Sequence, residues 1–168
     1  ARLELARTLR LTGKTDEALS EFAGLLSVES SFVAANALYE SAMIYRQNAA
    51  IQRAKDSAAA ARDSQEARKL LKRLVLLYAF PQLAPLPEMS QVHLGELAIE
   101  LDDAPAARSE FDDVLQRYPQ SPTAQYAKAM LAVLDSKRGD AVFLLKKLRE
   151  QNLRSEEHTS ELQSPCNL

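Results

Sequence analysis

The 168-residue chain has no tryptophan, one cysteine, two histidines and four glycines. Each scarcity excludes something. The one cysteine, Cys166, lies at the extreme C-terminus, so the body of the chain holds neither a disulfide nor a thiolate metal site, and the redox compartment stays open. No apolar run approaches the roughly 20 residues that a membrane-spanning helix needs. No glycine-rich phosphate loop, metal-ligand spacing or nucleophile motif occurs, so neither a cofactor nor a catalytic centre is expected. No segment alternates apolar and polar residues long enough for a strand. What remains is rich in alanine and leucine, a mixture that favours closely packed helices.

The two ends are set apart from this reading. Residues Arg154–Ser164 look like the translation of a widely used sequencing-library adapter, with Pro165, Cys166, Asn167 and Leu168 continuing it. Residues 154–168 are therefore expected to be a non-native, disordered tail. Without Arg154, Glu156, Glu157 and Glu161, the 21 basic and 23 acidic residues become 20 of each. The body is formally neutral, which suggests no general affinity for nucleic acid or anionic membranes. The chain opens at Ala1 inside a helical pattern without a Met, as a fragment would; a leader or lipid anchor upstream is compatible with that.

Apolar spacing marks out helices in the body. Leu5, Ala6, Leu9 and Leu11 form one stripe, Gly13 breaks it, and Thr15 or Asp16 can cap a second stripe of Ala18, Phe22, Leu25 and Leu26. Ser31 can cap a helix through Phe32, Ala35, Leu38, Ala42 and Tyr45. Residues 31–61 read either as one long helix or as two broken near Asn48. Asp63 or Ser64 would cap a helix of about 65–79, burying Ala67, Leu70, Leu71, Leu74, Leu77 and Tyr78. Pro81, Pro85 and Pro87 end it in a loop. The expected hairpins are about 1–30, 31–80, 88–119 and 122–153. The third turns near Asp102-Asp103-Ala104 with Pro105 in the next helix, and the fourth turns near Gly139-Asp140.

One period organises these elements. Gly95, Ala107, Phe111 and Val114 recur 34 residues later as Ala129, Ala141, Leu145 and Leu148. Repeats of this length mean stacked helix–turn–helix units, because a lone hairpin cannot bury its apolar face. The middle departs from the period. Ala18 to Ala67 exceeds it by 15 residues, and Ala67 to Ala107 by 6.

Leu94, Gly95, Ala107, Phe111, Val114 and Pro119 resemble the signature of tetratricopeptide repeats, as do Ala129, Ala141, Leu145 and Leu148. Leu5, Ala6, Leu9, Gly13, Ala18, Phe22 and Leu25 follow a related pattern. The resemblance implies an all-α fold, a right-handed α-solenoid of antiparallel helical hairpins with an irregular second unit. It also implies a protein-interaction scaffold and no enzyme. The stretch Ala107–Ala127, with its Tyr118-Pro119-x-Ser121-Pro122 junction after Leu94-Gly95-Glu96, is similar to repeats of bacterial cell-envelope proteins of the Tol-Pal coordinator and outer-membrane assembly lipoprotein types. That likeness points to the periplasm or envelope ahead of the cytoplasm. A helper subunit of a cytoplasmic complex, or the non-catalytic repeat region of a larger enzyme, are the other readings.

In this family the first helices of successive units line a groove for a protein or peptide. The corresponding positions are Leu3, Arg7, Arg10 and Leu11, then Val92, Glu96, Ile99 and Glu100, then Tyr126, Met130, Val133 and Leu134. The opposite signs at Arg7/Arg10 and Glu96/Glu100 are expected to orient a ligand by charge, whereas Val92, Ile99, Met130 and Val133 can equally be packed between helices. The cluster of Lys, Asn and Arg that clamps a terminal carboxylate in some members is missing. His93 reads as a surface or inter-helix histidine, and Glu96 with Glu100 as a solvated helix face. Arg68, Lys69, Lys72 and Arg73 read as the wet side of an amphipathic helix, with contact to nucleic acid or an acidic lipid as the alternative. An uncovered fourth unit, near Leu145 and Leu148, would tend to self-associate.

Overall fold

The computed structural model describes residues 1–135. They form seven α-helices: α1 (Arg2–Leu11), α2 (Thr15–Leu25), α3 (Ser31–Gln52), α4 (Ser57–Leu77), α5 (Leu86–Glu100), α6 (Ala104–Arg117) and α7 (Pro122–Leu134). A short 3-10 turn, Pro81–Leu83, precedes α5, and no strand occurs among the described residues. The fold class is all-α, as the sequence leads one to expect. The expected second helix of the fourth hairpin, with Ala141, Leu145 and Leu148, lies outside the described residues, as does 154–168. The chain divides into two compact units, Ala1–Glu110 and Phe111–Leu168.

Two turns of the first unit use one backbone device. After α1, Gly13 takes a left-handed φ of 79°, its N–H donating to the Arg10 carbonyl at 3.1 Å and the Lys14 N–H to Leu9 at 2.9 Å. After α5, Asp102 takes φ 58°, its N–H donating to Ile99 at 3.0 Å and the Asp103 N–H to Ala98 at 2.8 Å. Both satisfy the last carbonyls of a helix in the Schellman pattern. Asp103 then accepts from the Ala106 N–H at 3.1 Å, inside the first turn of α6.

The irregular second unit resolves into one long hairpin. Helix α3 has 22 residues and α4 has 21, against 10 and 11 in α1 and α2. Lengthening both arms absorbs the extra 15 residues. The break falls at Arg53–Asp56, not at Asn48, and α4 begins eight residues before the expected start. Asp56 sets that start, since its carboxylate accepts the Ala59 N–H at 2.9 Å. Ser64, expected as a cap, is instead buried in the body of α4. Two other caps shift by one position. Ser30, not Ser31, caps α3, and Lys14 precedes α2 without a capping side chain. Leu5 and Leu77, expected on buried stripes, are exposed.

Helix α3 carries two cores. On one side, Ala37 and Ile44 join Leu3, Ala6, Ala18, Phe22 and Leu25 from α1 and α2. On the other, Ala42 joins Ala67, Leu71 and Val75 of α4 and Leu94 and Leu97 of α5. Five consecutive residues, Ala34 to Leu38, are buried, so α3 is enclosed nearly all round. In the second helix of each pair, a small residue is followed at i+4 and i+7 by bulky apolar ones. Ala18-Phe22-Leu25 and Ala67-Leu71-Leu74 are all buried, as are Ala107-Phe111-Val114 of α6.

In the second unit, Ser121 caps α7 by accepting the Ala124 N–H at 3.2 Å, with Pro122 at the first helical position. Ala124, Ala127, Ala129 and Ala132 form its buried side.

Two substitutions separate backbone from packing effects. A Cβ at Gly13 would meet nothing within 4 Å. Gly13→Ala should therefore cost about 1–2 kcal/mol through its left-handed backbone alone. Phe22→Ala, at a fully buried ring, should cost about 3–5 kcal/mol. Urea unfolding checks both; equal effects would contradict this division.

Candidate functional site

The side chains singled out on α1 and α5 do not stand alone, because α3 runs between them and answers each charge. Arg7 Nε donates to Glu40 Oε1 at 3.1 Å, and Arg7 Nη2 donates to Asn36 Oδ1 at 2.7 Å. Asn36 is held in turn by donating Nδ2 to the Phe32 carbonyl at 2.8 Å. Arg10 pairs with the other oxygen of Glu40, and Arg7 reaches back to Glu4 at 2.8 Å. The Glu40 side chain is only 13% exposed and carries two guanidinium groups.

A second cluster joins α3 to α5. Arg46 Nη1 donates to Glu96 at 2.9 Å, and Arg46 Nη2 to Glu100 at 3.0 Å. Arg53 closes on the second oxygen of Glu100 at 2.8 Å. His93 is the hinge of this cluster. Its Nδ1 lies 2.7 Å from Arg46 Nη1 and 2.8 Å from Glu96 Oε2, and its Nε2 lies 3.1 Å from the Tyr39 hydroxyl. Arginine can only donate. When Nδ1 accepts from Arg46, Nε2 therefore carries the proton and donates to Tyr39. The Tyr39 and His93 rings sit 5.9 Å apart, tilted.

The face across α1, α3 and α5 is thus a ladder of two neutral clusters. Arg7 and Arg10 balance Glu4 and Glu40, and Arg46 and Arg53 balance Glu96 and Glu100. Each charge expected to orient a ligand is therefore met by a counter-charge within the chain. Glu96 and Glu100 are held by guanidinium donors. Among the described residues, no group of three His, Cys, Asp or Glu side chains could hold a metal ion.

The other expected groove positions divide. Leu3 and Val92 are buried, at 8% and 6% exposure, and Leu3 belongs to the first core. Ile99 is half-buried, while Leu11 stands out at 83% exposure. In the second unit, Tyr126, Met130 and Leu134 are half-buried and Val133 is exposed. Of the residues that sequence reasoning missed, Glu4 is on α1 and Arg53 follows the end of α3, but most lie on α3 itself: Asn36, Tyr39, Glu40, Met43 and Arg46. Their signal was the spacing Phe32, Asn36, Tyr39/Glu40, Met43, Gln47, a helical face of mixed chemistry. Phe32 heads that face and is 55% exposed.

Residues 89–121, which hold most of α5 and all of α6, match the family described as Tetratricopeptide repeat. The chain therefore carries a repeat of the kind that binds proteins. Comparison with curated proteins finds no match.

Burial pushes the Tyr39 hydroxyl above its ordinary value of 10.0; Glu40 adds to the shift, and Arg46 and Arg10 oppose it. A folded-state value above the unfolded one contributes stability that is complete below pH 10 and is lost as pH rises through the folded value. Tyr39→Phe should flatten the alkaline loss of stability, read as urea midpoints on either side of that pH. Parallel wild-type and variant curves would show that Tyr39 is not linked to folding.

Proposed function

We propose that this chain is part of a bacterial protein-interaction scaffold that assists the assembly or coordination of cell-envelope proteins, with its partner seated on the α1–α3–α5 face. The observation that carries this is the ladder itself. Three helices are registered by Glu40, Arg46 and His93 into one surface whose charges are already compensated. Such a surface needs no counter-ion from a ligand and does not select by net charge. It offers apolar side chains between satisfied polar groups: Phe32 and Leu11 exposed, Met43 and Ile99 half-buried. That chemistry suits an apolar-anchored helix or extended segment of another protein. The tetratricopeptide match at 89–121 supports the scaffold class. The Tyr118-Pro119-x-Ser121-Pro122 junction supports the bacterial reading, and the likeness of the whole Ala107–Ala127 stretch supports the envelope one. Tyr126, Met130, Val133 and Leu134 of α7 are the corresponding positions of the next unit.

The test compares capture from a bacterial envelope extract by wild type and by Phe32→Glu/Leu11→Glu, both exposed side chains. Partners retained by wild type should be lost by the variant, with helical content unchanged. Identical capture by both would rule out this face. Capture confined to soluble cytoplasmic proteins would rule out the envelope role.

A further inference from the structure

Helix α4 keeps a second surface that the interaction face does not use. Its outward side carries Arg62, Lys69, Lys72, Arg73 and Leu76 at helical spacing, all exposed. Lys69 pairs with Glu66 at 2.6 Å, but Arg62, Lys72 and Arg73 make no ion pair among the described residues. Arg68, the remaining cation here, turns aside to Asp103 at 4.0 Å.

The row ends in apolar residues. Leu76 is 79% exposed, Leu77 54% and Phe80 49%, with Ala79 exposed between them. Three large side chains in water within five residues, next to the unpaired Lys72 and Arg73, exceed the single scattered exposures of a normal surface. We infer that the α4 surface from Arg62 to Phe80 is a peripheral docking site for an anionic lipid surface, with Leu76, Leu77 and Phe80 entering the interface and Lys69, Lys72 and Arg73 meeting the headgroups.

The arrangement favours a lipid surface over a partner helix. A helix seated in a groove is gripped by apolar anchors spaced along a stripe. Along the stripe of α4, Lys69, Lys72 and Arg73 precede Leu76, with Gln65 and Glu66 between them and Arg62, and the large apolar residues crowd its end. A lipid interface accepts that order. The apolar tip enters to the acyl boundary, and Arg73 and Lys72, within about one turn of it, lie at headgroup depth. Their long stems can bend to keep the charge there. Lys69 lies about 10 Å along the axis from Leu76, near the edge of the screening length. Neither signal suffices alone, since stable peripheral binding takes two. No described helix is long and apolar enough to cross a membrane, so the contact would be with the surface.

The experiment is co-sedimentation of the full chain with phosphatidylcholine vesicles, with and without phosphatidylglycerol. Binding should require the anionic lipid and weaken with added salt. Each cation near such a surface multiplies partitioning by about five. Lys69→Glu/Lys72→Glu/Arg73→Glu should therefore lower it by roughly a hundredfold or more. Leu76→Ser/Leu77→Ser/Phe80→Ser should also release the chain, and both variants change only exposed residues, so circular dichroism should match wild type. Wild type left in the supernatant with anionic vesicles would overturn the proposal, and so would a charge-reversed variant that still sediments. Binding to a poly-glutamate peptide without binding to vesicles would overturn it too, in favour of an acidic protein segment. None of these results bears on capture at the α1–α3–α5 face.

Discussion

The close approach that alanine permits around α3 is the constraint on which the first unit depends. Ala34, Ala35, Ala37, Ala42 and Ala49 are all buried at 1% exposure or less. Each lets a neighbouring backbone come near enough for large side chains elsewhere to interlock, Phe22 and Ile44 on one side, Leu71 and Leu97 on the other. A bulkier residue at Ala37 would press on the first core and one at Ala42 on the second, because α3 is a wall of both. The polar ladder depends on the same closeness. Glu40 reaches both Arg7 and Arg10, and Arg46 both Glu96 and Glu100, only because the three helices are drawn together beneath them.

The ladder shows how a charged surface can be made neutral to its surroundings. Part-buried arginine–glutamate pairs contribute modestly to stability, because desolvation offsets much of the attraction. Their larger effect here is geometric. Bifurcated contacts at Glu40 and Arg46 define how α1 and α5 are seated along α3, and Tyr39 with His93 locks the second of these contacts. The unpaired cations of α4 lie on a different surface and make no such contribution to the core.

How far the chain could be read without its structure varied with the chemistry of each element. Where one stripe is apolar and the rest polar, as in α1, α2 and α6, the helical period was plain, and Gly13 and Asp102 marked the turns. In α3, burial on nearly every side removes the contrast between faces, so periodicity could not show where the helix ended. The cap at Asp56 was equally hard to see, since neighbouring Asp63 and Ser64 are as capable of capping. The Ala67-Leu71-Leu74 repeat was present in the residues, but the long arms of α3 and α4 displaced it from the expected period.

By itself the sequence determined the all-helical class, the small–large–large signature of each second helix, and the likeness to tetratricopeptide repeats that residues 89–121 carry. These are local properties, set by side-chain size and spacing along one helix. Only tertiary structure decided which charges are available. Arg7, Arg10, Glu96 and Glu100 stand in the sequence as two opposed pairs far apart. In the fold, each meets a counter-charge from α3 that lies between 30 and 54 residues away along the chain. Pairing at that separation is set by how helices pack, which no local pattern encodes, and it gives each of these four side chains a counter-charge within the fold.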